Sequence, residues 1–152
     1  MRKAYWFVGL VCAVAAIAEA QPPAAPLVPV NGMSAGCPSE WAHRAGGETF
    51  FSCRDVARGA FCNGSYRPAV GATQTDEAAA VRAEIVARGF VILREGDADG
   101  MHQIVYDDAG GNRVMQFVRR SPGRVVSVVC GASPTLFDPL VPTFVDIAGT
   151  AR

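Results

Sequence analysis

Lysine is missing from this sequence after Lys3, histidine occurs only at His43 and His102, and charge is sparse, with 18% of the 152 residues charged and a formal net charge of zero. That balance excludes a strongly basic nucleic-acid binder and a long acidic disordered tail, each of which needs a block of one sign. There is no C-x-x-C pair, and the cysteine spacings are irregular, so no zinc site is expected. No serine stands in a G-x-S-x-G setting. Beyond Ala18 no apolar run approaches the roughly 20 residues that a membrane-spanning helix requires.

What is present begins with an address. Arg2 and Lys3 precede an apolar run from Ala4 to Ala18, and Ala18-Glu19-Ala20 supplies small residues at the two positions that a signal peptidase reads. This pattern predicts a cleaved secretory signal peptide over 1–20 and hence a periplasmic or extracellular protein. Setting aside Arg2, Lys3 and Glu19 leaves 12 basic and 13 acidic residues, a net charge of −1, and every remaining base is arginine.

Cys37, Cys53, Cys62 and Cys130 form an even set in a chain predicted to be exported, which reads as two disulfides. Of the three pairings open to four cysteines, Cys37–Cys53 with Cys62–Cys130 is favoured. The first closes the N-terminal segment on itself, and the second ties it to the strand region.

Residues 21–32 carry four prolines and no charge and read as a tether, or as a strap packed over the domain through Leu27, Val28 and Val30. Residues 33–152 read as a single α+β domain. In its loop-rich first part, Ser39–Ala45 is predicted as a short helix ended by Gly46-Gly47. Glu48–Cys53 reads as a strand, and Asn63-Gly64 as a tight turn.

Thr73 and Asp76 have the form of a capping box, followed by an apolar stripe of Ala78, Val81, Ile85 and Val86 and a stop at Gly89. Strands are then predicted at Phe90–Leu93, His102–Asp107, Arg113–Arg119 and Arg124–Cys130. Thr143–Ala148 is a fifth, edge strand after Pro134, Pro139 and Pro142. The expected fold is one main helix on an antiparallel meander of three to five strands, with the N-terminal segment tied on by disulfides.

The stretch 76–130 resembles the PepSY domain. The residues carrying the likeness are Ala87-Arg88-Gly89-Phe90-Val91, Asp99-Gly100, Val105-Tyr106-Asp107-Asp108 and Val118-Arg119-Arg120-Ser121-Pro122-Gly123-Arg124-Val125. Arg119 and Arg120 stand where that family carries aspartate and proline, and Arg124 replaces a usual acid. The resemblance implies a binding or protease-restraining module of the cell envelope, without a catalytic residue set.

Glu95, Asp97, Asp99 and Gly100 match the first half of a calcium loop, but Tyr106 occupies the position of its bidentate glutamate, so an acidic hairpin turn is expected. Asp107 is expected near Arg113 across a strand pair. Arg119, Arg120 and Arg124, with Trp41 and Tyr66 from the aromatic-rich segment, form the predicted contact surface for a protein or envelope component. No cofactor or metal is expected. The alternative is a small secreted hydrolase using His43 or His102, whose cysteine nucleophile would have to escape pairing.

Overall fold

The computed structural model describes residues 27–30, 35–46 and 50–152. The predicted signal peptide and most of the 21–32 tether lie outside these residues. Leu27–Val30 (β1) is a strand, paired antiparallel with Ala35–Pro38 (β2).

The chain then runs through β3 (Ala42–Ala45), β4 (Phe50–Asp55), β5 (Ala60–Pro68), α1 (Gln74–Ala87), β6 (Ile92–Ala98), β7 (Met101–Asp107), β8 (Arg113–Ser121), β9 (Arg124–Ala132) and α2 (Pro134–Thr150). Strands β3 to β9 form one antiparallel sheet in the order β3-β4-β5-β9-β8-β7-β6. Two hairpin systems, β3–β5 and β6–β9, therefore meet at a single seam, β5 against β9, with Cys62 directly opposite Cys130.

Side chains alternate across this sheet, and each face carries a helix. On β8, Val114 and Val118 face α1 and cluster with its Val81 and Ile85 and with Ile104 of β7. Met115 and Phe117 point to the other side and cluster with Phe137, Leu140, Phe144 and Ile147 of α2. Cys37 and Trp41 complete that second core. The disulfides join Cys37 to Cys53 and Cys62 to Cys130, as the sequence favoured.

Several expectations are overturned. The sheet has seven strands and two helices, where a meander of three to five strands under one main helix was expected. The N-terminal segment is not a loop-rich attachment, because β5 pairs with β9 over eight residue positions and extends the meander into one sheet.

Ser39–Ala45 is no helix. Trp41 N donates to Pro38 O in a turn, and Ala42–Ala45 pairs with β4. A segment so short gains little from its own helical bonds. Asn63-Gly64 is not a turn but the middle of β5, where a Cβ on Gly64 would overlap the Phe51 ring. The reversal comes earlier, at Gly59, which adopts φ +68°.

Thr143–Ala148 is helical rather than a strand. Pro134 fits the first turn, while Pro139 and Pro142 each delete an internal hydrogen bond at a cost of ~3 kcal/mol. Burial of Phe137, Leu140, Phe144 and Ile147 on one face contributes ~1.5–3 kcal/mol each and outweighs that loss. Both internal prolines lie on the solvent side.

Helix α1 starts as predicted. The Thr73 hydroxyl accepts from Asp76 N at 3.1 Å, and Thr73 N donates to Asp76 Oδ2 at 2.9 Å. The Thr73 hydroxyl and amide hold the Asp76 carboxyl below its ordinary value.

Glu77, in the first turn where an acid suits the positive end of the helix dipole, is fully buried. Its Oε1 accepts from Val70 N and Gly71 N at 2.6 and 2.7 Å, and its Oε2 lies 2.8 Å from Arg67 Nη2. Burial pushes this carboxyl up, but the Gly71 amide, the Arg67 guanidinium and the Val70 amide outweigh it, and the group titrates below its ordinary 4.5.

A folded-state value below the unfolded one contributes stability that is present above about pH 4.5 and lost as pH falls through the lowered value. Glu77→Gln is therefore expected to be less stable than the parent at pH 7. Its stability should also fall less steeply below pH 4.5, the slope shrinking by up to one proton. Urea midpoints measured from pH 7 to pH 3 test this, and parallel pH profiles would contradict it.

Candidate functional site

Helix α1 packs over β7 and β8 and reaches β5 at Arg67, and among the described residues nothing covers the same face of β3, β4 and the Asn63 position of β5. Alternation within Phe50–Asp55 sends Phe51 and Cys53 into the α2-side core and turns Phe50, Ser52 and Arg54 to the open side. The register sets Arg44 of β3 and Asn63 of β5 on either side of Ser52. Ser52 thus sits at the centre of a cross formed by Arg44, Asn63, Phe50 and Arg54, which line a depression of about 540 Å³.

Arg44 and Arg54 are diagonal neighbours on adjacent strands, an arrangement of like charges that costs stability when nothing neutralises it. Both are exposed, and neither has an ion-pair partner among the described residues. The Ser52 hydroxyl between them is buried and has no hydrogen-bond partner among the described residues, a situation that costs about 1–3 kcal/mol. Asn63 and the two guanidiniums make the surface rich in donors.

Towards α1 the face deepens into a second cleft of about 290 Å³, lined by Ser65, Arg67, Ile85, Arg88, Tyr106 and Ser127 among others. Tyr106 is largely buried, and burial raises its hydroxyl above the ordinary tyrosine value.

The residues expected to form the contact surface are distributed differently. Arg119 donates to the Ala151 carbonyl at the end of α2. Arg120 lies on the opposite face, where Nε donates to Gly71 O at 3.2 Å and its backbone N to Gln74 Oε1 at 2.7 Å, strapping the start of α1 to β8. Arg124 lies 4.4 Å above the Tyr66 ring. Tyr66 is half-buried with a hydroxyl that has no partner among the described residues, and Trp41 is a core residue at 3% exposure. The structure therefore splits these five residues between two faces and the core.

His102 Nδ1 lies 2.8 Å from Asp97 Oδ1 on the neighbouring strand, and His43 sits opposite the disulfide-bonded Cys53. All four cysteines between Cys37 and Cys130 are engaged in bridges. Glu95 pairs with Arg82 at 3.1 Å, and the acidic hairpin turns at Asp99 (φ +55°) and Gly100 (φ +72°). Among the described residues no cluster of three or more metal-ligating side chains occurs. Arg113 and Asp107 form the expected pair, at 2.9 Å.

Sequence reasoning missed Arg44, Ser52, Arg54 and Asn63. The signal that could have found them is the alternation of Ser52 and Arg54 with Phe51 and Cys53. That pattern marks a strand with one polar face.

No family model and no curated protein matches this chain. Among solved structures, the fold is similar to that of the cyanobacterial PsbP (CyanoP) from Synechocystis sp. PCC 6803. The TM-score is 0.57 and the identity 13%, over 85% of this chain and 92% of that one. A protein from Bacteroides thetaiotaomicron VPI-5482 matches with a TM-score of 0.45 and 12% identity, over 83% of this chain and 47% of that one. At these identities the likeness to PsbP is one of fold.

Proposed function

We propose that the chain is an exported, non-enzymatic binding module that engages a protein or envelope component through the open half of its sheet. The observation that carries this reading is the donor-rich cross around Ser52, where two arginines without an ion-pair partner among the described residues flank a buried hydroxyl that no described residue bonds. Such an arrangement costs the free protein stability, and an acceptor-bearing partner would recover it. Two buried disulfides support an oxidising compartment. Among the described residues no helix is long and apolar enough to cross a membrane.

The test uses the mature chain as bait for cross-linking in its own envelope extract. Arg44→Glu with Arg54→Glu is expected to reduce recovery of the specific partner about tenfold or more, the scale of a binding hot spot. Arg124→Glu, on the opposite face above Tyr66, should leave recovery unchanged. Full recovery by the double variant would assign the contact elsewhere.

A further inference from the structure

We infer that the cleft between α1 and the sheet is a binding site for a small molecule that joins a carboxylate to an apolar, ring-sized body. It uses different residues from the open face and stands independently of the partner-binding reading. The cleft measures about 290 Å³, at the lower end of small-molecule sites. Val81 and Ile85 of α1 and Val129 of β9 supply apolar walls. Phe90 stacks on Tyr106 with centroids 5.6 Å apart and planes 8° from parallel, so the aromatic lining is already rigid.

The polar lining has a direction. Tyr106 Oη donates to Gln116 Oε1 at 3.4 Å, and Gln116 Nε2 donates to Ser127 Oγ at 3.0 Å. A hydroxyl carries one proton and can accept as well. Ser127 accepts from Gln116, which leaves its proton free to donate, and no acceptor among the described residues takes it. The chain thus ends in a donor beside the cleft, polarised by the bonds behind it.

Charge completes the selection. Arg67 is already committed to Glu77. Arg88, at the end of α1, lines the cleft and makes neither an ion pair nor a side-chain hydrogen bond among the described residues. One free cation and one free hydroxyl proton match a single anionic acceptor. Glu84, one turn before Arg88, also lines the cleft and repels anions in proportion to their charge, so a dianion such as phosphate is penalised about twice as strongly as a monoanion. The apolar walls disfavour a bare hydrated ion and favour a monoanion with a hydrophobic body.

Phenylacetate is the probe, with phenylacetamide as its uncharged counterpart, titrated into the isotopically labelled mature chain and followed by amide chemical shifts. Saturable shifts centred on Phe90, Gln116 and Ser127 are expected, with the amide binding about tenfold more weakly, the worth of one charge-assisted hydrogen bond. Arg88→Gln and Ser127→Ala should each weaken phenylacetate by about the same factor. Arg88 is exposed, so its replacement leaves the fold intact. The double variant Arg44→Glu, Arg54→Glu should bind phenylacetate normally, which separates this site from the open face. Absence of saturable shifts, equal affinity for acid and amide, or unchanged affinity in Arg88→Gln would each overturn the assignment.

Discussion

Replacing Cys62 and Cys130 together by alanine is expected to lower the unfolding free energy by about 4 kcal/mol, against about 3 kcal/mol for the Cys37/Cys53 double replacement. The ranking follows from loop length. The two bridges close separations of 68 and 16 residues, and the unfolded chain loses more freedom to the longer closure. Location adds to the difference. Cys62 and Cys130 are register partners on β5 and β9, the seam where two hairpin systems become one sheet. The open face around Ser52 lies on the β5 side of that seam, so a weakened seam should also weaken partner capture. Urea denaturation of both double variants at pH 7 decides the matter. An equal or larger loss for Cys37/Cys53 would show that local packing rather than closure sets the effect.

Phe144→Ala is expected to cost about 3–5 kcal/mol, the range for a buried aromatic removed from a core. Phe144 is fully buried on α2 and meets Phe137 with centroids 5.8 Å apart at a 58° tilt. The wider pattern along this segment carries the helical geometry. Alanine at Phe137, Leu140 and Ile147 should also be costly, whereas alanine at the exposed Asp138 and Asp146 should stay within about 0.5 kcal/mol of the parent. A strand would instead place Phe144, Asp146 and Ala148 on one face. Comparable losses at Phe144 and Asp146 would therefore count against the helix.

The legible parts of this molecule are those specified locally. Thr73 and Asp76 announce the start of α1 because a capping box is a three-residue device. Val114, Gln116 and Val118 against Met115 and Phe117 display the two faces of β8 in a single strand. The pairing of Asp107 with Arg113 follows from one short hairpin.

The illegible parts depend on distant neighbours. Nothing near Ala60–Pro68 reveals that its partner is Arg124–Ala132, so the seven-stranded sheet read as a meander with an attachment. Gly64 looks like half of a turn dipeptide, while its actual constraint is the Phe51 ring on the next strand. Glu77 in a first helical turn resembles a solvated dipole partner. Its burial depends on Arg67 and on two amides of the preceding loop. The candidate site was missed for the same reason, because Arg44, Ser52 and Asn63 become neighbours only once three strands are in register.

The seam also sets a choice of partner. Cys53 and Cys62 face each other across the β4–β5 hairpin, so this hairpin by itself brings two thiols side by side. Cys62 forgoes that near neighbour for a partner on the strand that begins at Arg124. The native bridge joins β5 to β9 at register partners, so it favours the pairing that makes the middle of the sheet. The Cys62–Cys130 bond thus fixes covalently which strand lies beside β5, a choice that the β4–β5 hairpin alone leaves open.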